Sequence, residues 1–110
     1  MTESELYQNH IKPELKKAGI FHFRVEHEHL PDIYTAKDGK VRWIELKVIN
    51  SKSSTETIKP DWRIGQLAWI KNHAKIGGEL TVLCLWYKNN IYFLEPKESY
   101  TKKELMEVLK

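Results

Sequence analysis

Asp38-Gly39 is the pair of residues that most constrains what this chain can fold into. Both residue types accept the positive backbone angles of a tight two-residue turn, and strand-like sequence flanks them, so Pro31 to Val48 reads as one β-hairpin. If those two residues form the loop, Lys37 faces Lys40, and every further pair keeps the same sum of residue numbers. Counting outward sets Tyr34 opposite Trp43, Ile33 opposite Ile44 and Asp32 opposite Glu45. Side chains alternate along a strand, so Glu45 and Lys47 share a face with Asp32, while Ile44, Leu46 and Val48 turn to the other face as core.

Two carboxylates facing each other across a ladder lie roughly 5 Å apart at Cβ, and like charges so placed repel. A hard divalent cation is the natural neutraliser. Mg²⁺ takes oxygen ligands, is usually held by one or two carboxylates, and keeps several waters for substrate to replace. Lys47, on the same face, adds an ammonium beside any metal-bound water or substrate phosphate. Acid, acid and lysine around one cation suit phosphodiester cleavage, because they supply an activated water and offset the charge of the transition state. An isolated Glu-x-Lys or Pro-Asp is common by chance; their meeting in one hairpin register is the informative feature.

Bulk properties set the frame for that site. At 110 residues the chain is expected to be a single domain, 1–110, with one core and no room for a separate recognition domain. Its hydrophobic fraction of 41%, with four Trp and five Tyr, fits a folded globule rather than a disordered tail. A net charge of +3 is compatible with nucleic-acid binding without requiring it. The single cysteine, Cys84, lies in an apolar run and reads as core, consistent with a reducing compartment. Without a targeting segment or an apolar run approaching ~20 residues, a cytoplasmic location and no membrane partner are expected.

Along the chain, Tyr7, Ile11 and Leu15 recur at helical spacing and predict a helix from Glu3 to Gly19, bent or restarted at Pro13. Phe21 to Glu28 alternates as a strand leading into the hairpin. His27 and His29 form an H-x-H pair near Asp32, a weak zinc or manganese pattern, and His29 is also placed to contact substrate. The polar run Asn50 to Thr57 reads as a loop beside the site, either a plain surface connection or a flap carrying Lys52 and Lys59 toward phosphates. Asp61 is expected to cap a helix from Trp62 to Ile76 that Gly77-Gly78 ends, with Trp62, Gln66, Trp69, His73 and Ile76 along its buried stripe. Arg63 would lie on the outer surface or along a DNA groove. Glu79 to Tyr87 is apolar almost throughout and predicts an inner strand covered on both faces, parallel to the second hairpin strand. Asn89-Asn90 then turns into a short strand, Ile91 to Leu94, and Thr101 to Glu104 is a capping box opening a last helix.

Pro31-Asp32 followed after a hairpin by Glu45-Leu46-Lys47 resembles the PD-(D/E)xK nuclease signature, with spacing similar to that of small archaeal and phage Holliday-junction resolvases. The run Gln66-Leu67-Ala68-Trp69-Ile70 ending in Gly77-Gly78 is similar to the helix after this motif in virus-type replication-repair nuclease domains. Those domains usually carry a glycine before the Pro-Asp, where this chain has His29-Leu30. The resemblance implies a restriction-endonuclease-like α/β fold, αβββαβ at its core, with a mixed central sheet flanked by helices. It implies an endonuclease cutting DNA with Mg²⁺, for which Mn²⁺ substitutes, and no organic cofactor. Asp32, Glu45 and the carbonyl of Leu46 would hold the metal. A helical glutamate completes such sites in related nucleases; Glu5 fits that position, with Glu3 and Glu14 as rivals. Gln66 would hold a ligand or a water beside the cluster. The resemblance extends to branched DNA as substrate, a homodimer, and the cytoplasm of a bacterial, archaeal or phage-infected cell. Flap, nick or nonspecific cleavage, RNA as substrate, and a non-catalytic DNA-binding domain of the same fold are the alternatives.

Overall fold

The turn sets the hairpin as the sequence predicts. Asp38 and Gly39 take φ of 53° and 77°, joining β2 (Ile33–Lys37) to β3 (Lys40–Ile49) with Lys37 opposite Lys40, Tyr34 opposite Trp43 and Ile33 opposite Ile44. The computed structural model describes residues 1–27, 30–50 and 57–109, the last four without their side chains. A Cβ added at Gly39 would meet nothing within 4 Å, so Gly39→Ala carries only the left-handed backbone cost. A loss of about 1–2 kcal/mol is expected, read by chemical denaturation.

The N-terminal helix is built in three pieces: α1 (Glu3–Leu6), a π-helical turn (Tyr7–Ile11) and α2 (Lys12–Lys17). Pro13 explains the widening. It has no N–H to give, and its ring would press on the carbonyl four residues earlier in a regular helix; a π turn relieves both. The N–H of Lys12 accordingly reaches back to Tyr7. Leu6, Tyr7, Ile11 and Leu15 then form one buried stripe.

β1 (Phe21–Arg24) is shorter than the predicted strand; beyond it the N–H of Val25 donates to the Asp32 carbonyl at 2.7 Å. Five strands form one sheet in the order β1, β2, β3, β5 (Leu80–Tyr87), β6 (Asn90–Leu94). β3 and β5 run parallel, joined across α3 (Gln66–Gly77), and the other neighbours are antiparallel. The β5–β6 turn is Lys88-Asn89, both at positive φ, one residue earlier than the predicted Asn89-Asn90. A two-stranded ribbon, β4 (Thr57–Ile58) with β7 (Tyr100–Thr101), precedes α4 (Lys102–Leu109). Thr101 and Glu104 make the expected capping box, each backbone N–H donating to the other's side chain at 3.1 Å.

Strand alternation sorts the core onto two faces. Ile44, Leu46 and Cys84 pack with Leu6, Tyr7, Ile11 and Leu15 of the N-terminal helix. On the opposite face Leu83, Leu85, Tyr87, Tyr92 and Leu94 pack with Ile58, Tyr100 and Leu105. Cys84 is fully buried, and burial pushes its thiol up to about 12, so it is core, as its setting in an apolar run implies.

α3 departs from expectation at its start. It begins at Gln66 rather than Trp62, with Gly65 at its N-cap in the left-handed region and no side-chain cap. Asp61 does not cap it; the Asp61 carbonyl instead accepts from Lys47 at 2.7 Å, and Trp62 donates its indole N–H to the Lys97 carbonyl at 2.8 Å. These tertiary bonds keep residues 61–63 outside the helix. Gly78 ends the helix in the left-handed region, as predicted. Ile76, expected on the buried stripe, is 86% exposed.

Candidate active site

The β3 strand places Glu45 and Lys47 on one face two residues apart, and the pleat buries both, leaving them 1% and 6% exposed. Asp32 sits in the bend before β2, at the position that continues the hairpin register toward Glu45. Its Oδ2 accepts from the backbone N–H of Leu46 at 2.8 Å, which fixes the carboxyl at the strand. The Asp32 carboxyl lies within hydrogen-bonding reach of the Glu45 carboxyl. Burial above all, then that contact and the Asp32 charge, push the Glu45 carboxyl far above the usual carboxylate range, with Lys47 pulling the other way.

Gln66, the first residue of α3, ties the cluster together. Its amide NH₂ donates to Glu45 Oε2, while its Oε1 accepts from Lys47 Nζ and from the backbone N–H of Arg63, both at 3.2 Å. A buried amide needs such partners, and this one has them on both ends. The Lys47 ammonium has two oxygen acceptors, Asp61 O and Gln66 Oε1, and lies 5.2 Å from the Trp62 ring centre, within cation–π range. These groups face a cavity of about 340 Å³ lined by Glu3, Asp32, Glu45, Lys47, Arg63 and Gln66, among others. A larger hollow of about 430 Å³ between Gly39–Arg42 and Gly78–Leu80 contains no such cluster.

Glu5 is elsewhere. It is exposed and closes a capping box with Thr2, in which each backbone N–H donates to the other side chain at 3.1 Å. Glu3 is the residue of α1 at the cavity. Burial raises its pKa first and the Asp32 charge next, while Lys47, Arg63 and Arg24 oppose the rise. The signal was in the sequence, since Thr2-x-x-Glu5 is a capping box just as Thr101-x-x-Glu104 is. Glu14, the other rival, is exposed in α2. Arg63 lines the cavity; Lys59 is exposed just after β4 and does not. Lys52 and His29 lie outside the described residues, and with His29 the H-x-H pattern.

Among the described residues no three His, Cys, Asp or Glu side chains converge as a ready metal cage. The donor set nonetheless fits a hard cation: two carboxyl groups side by side at an open cavity suit Mg²⁺ or Mn²⁺, which keep waters in the remaining positions.

No family model matches this chain, and no curated protein does. A solved structure matches it over nearly its full length: Hjc, a Holliday junction resolvase from the archaeal hyperthermophile Archaeoglobus fulgidus. The likeness has a TM-score of 0.65 at 16% identity and covers 96% of this chain and 89% of that one. The chain has that fold. Its five-stranded mixed sheet flanked by helices is the α/β arrangement expected from the sequence. No described helix is long and apolar enough to cross a membrane.

Proposed function

We propose that this chain is a metal-dependent DNA endonuclease that hydrolyses phosphodiester bonds in branched DNA such as four-way junctions. One observation carries the reading: Asp32 and Glu45 are held carboxyl to carboxyl with Lys47 beside them at an open cavity. Burying Glu45 beside a second acid is costly for a fold and gains nothing structural that an apolar side chain would not give. The likeness to a junction resolvase supports the substrate class.

Asp32, Glu45 and the Leu46 carbonyl would hold Mg²⁺ or Mn²⁺, with Glu3 in place of Glu5 as the helical acid. The chemistry such an ion supplies when bound is polarisation of the scissile phosphate and a lowered pKa for a coordinated water. Gln66 orients Glu45 from one end of its amide and Lys47 from the other. Lys47 then presents a fixed positive charge where negative charge develops during in-line attack, without reorganising at that moment. Arg63 at the cavity, and the exposed Lys59, would meet phosphates. Backbone shape rather than base edges would be read, since no second domain within the 110 residues supplies base contacts, and two cuts in a junction call for two copies.

Labelled four-way junction, flap, duplex and single-stranded DNA, each incubated with Mg²⁺ and with a chelator, test this. Junction cutting with metal and none with chelator is expected. Equal cutting of all four substrates would replace the branched-DNA assignment, and no cutting of any would overturn the enzyme.

A further inference from the structure

Lys47 is held at the cavity by one short segment of chain. Its ammonium donates to the Asp61 carbonyl at 2.7 Å and to Gln66 Oε1 at 3.2 Å, and lies 5.2 Å from the centre of the Trp62 ring. All three partners fall within residues 61–66, which also bond to one another: the N–H of Arg63 donates to Gln66 Oε1 at 3.2 Å and the N–H of Gln66 to the Arg63 carbonyl at 3.0 Å. A lysine carries its charge on a flexible four-carbon stem, so the place of this ammonium depends on the place of that segment.

Trp62 ties the segment to the C-terminal part of the fold. Its indole N–H donates to the Lys97 carbonyl at 2.8 Å, and its ring packs against the core cluster that holds Ile58, Leu83, Leu85 and Tyr100. The Lys97 carbonyl is itself fixed, because the hydroxyl of buried Tyr100 pins the loop 95–100, accepting from the Lys97 N–H at 2.9 Å and donating to the Glu95 carbonyl. For filling the core another apolar side chain would serve. What an aromatic ring adds toward Lys47 is electrostatic: its face is the negative part of a quadrupole and attracts an ammonium within about 6 Å of its centre. Lys47 is buried, so little water screens that attraction. Asp61 and Arg63 line the cavity, whereas Trp62 between them is not part of the lining and meets Lys47 from behind.

We propose that Trp62 is a positioning residue for strand cleavage: its ring holds the Lys47 ammonium beside the carboxyl pair, and the loop 95–100 holds the ring. A cation that offsets charge developing in a transition state acts best when it is already in place. The effect on cleavage rests on the nuclease reading; the hold on Lys47 does not.

Replacing Trp62 by monofluoro- and then difluorotryptophan in the full chain tests this, because fluorine draws electrons from the ring face while nearly preserving its shape and its N–H. Trp62→Leu removes ring and N–H together; circular dichroism checks that it folds, and the fluorinated proteins decide if it does not. Single-turnover cleavage of a labelled four-way junction with Mg²⁺ gives the rate, a gel-shift titration gives junction affinity, and mass spectrometry gives the rate at which an amine-reactive ester acetylates Lys47. Cleavage is expected to slow stepwise with each fluorine and about tenfold in Trp62→Leu at unchanged junction affinity, and Lys47 to be acetylated faster in the same order. Fluorinated proteins that cut at the wild-type rate overturn the assignment, as does a Lys47 equally protected in every protein. Weaker junction affinity at an unchanged rate would make Trp62 a DNA contact and overturn it too. A wild type that cuts no DNA removes the nuclease reading, and the acetylation rates alone then decide whether the ring holds Lys47.

Discussion

Glu45→Gln is expected to reduce DNA cleavage by on the order of 10³-fold or more while the fold and DNA binding persist. The substitution is close to isosteric, and the protein without metal already holds Glu45 largely protonated, because burial and the Asp32 carboxyl push its pKa far up. A neutral amide can therefore occupy the same space, accept from Gln66 as Glu45 Oε2 does, and donate to the Asp32 carboxyl beside it. What it cannot do is supply a negative oxygen to a divalent cation. Asp32→Asn should behave similarly toward metal, provided that the amide oxygen rather than the NH₂ takes the place of Asp32 Oδ2 and accepts from Leu46 N–H. Lys47→Ala should slow cleavage by about 10²–10³-fold with metal affinity little changed, at the further cost of removing the Lys47 donor from Asp61 O and leaving Gln66 Oε1 with the Arg63 N–H alone of its two donors. Single-turnover cleavage of a labelled junction, beside a binding titration by gel shift, separates these cases. Cutting retained by Glu45→Gln would dismiss the metal assignment outright.

Leu46→Ala should lower stability by about 2–5 kcal/mol, the range for emptying a fully buried leucine site. Leu46 is 0% exposed, and its side chain packs with Leu6, Tyr7, Ile11 and Cys84, which a shorter side chain leaves around a void. For a domain of this size the midpoint of a thermal melt would fall by roughly 10–20 °C. Against a total of ~5–15 kcal/mol, that is a large share of the fold's stability. The residue sits between Glu45 and Lys47 but faces the other way, so the melt tests the strand's facing independently of any activity. A shift of only a degree or two would mean that the two faces of β3 are exchanged, and with them the placement of both charged side chains.

How much of this was legible beforehand depended on whether the determining contacts are local. The hairpin register was, because two turn residues with positive φ leave one pairing, and everything about Asp32, Glu45 and Lys47 sharing a face follows by counting. The parallel placement of β5, the stop at Gly78 and the capping box at Thr101 were legible for similar reasons. The start of α3 was not. Asp61 before an apolar-periodic run is a good capping signal, but Lys47 takes its carbonyl and Trp62 is drawn off to Lys97, bonds that span 14 and 35 residues. Glu5 was misplaced for the opposite reason, since a local signal, its capping box with Thr2, outranks a resemblance to distant relatives.

Phe21, Phe23 and Ile76, all exposed, mark another limit. Apolar side chains in register say which way a face points and nothing about whether a neighbour covers it, because coverage depends on where helices far along the chain come to lie. The sequence by itself determined the short-range geometry: a turn whose angles admit one pairing, a strand whose period assigns each side chain a face, and helix ends set by residues within a turn of one another. Only the tertiary structure decided which acid of α1 meets the carboxyl pair, that Gln66 clamps Glu45 and Lys47 together, and that Trp62 reaches Lys47 from its anchor at Lys97. Those depend on the packing of elements distant in sequence, where a shift of a few ångströms decides whether two groups touch.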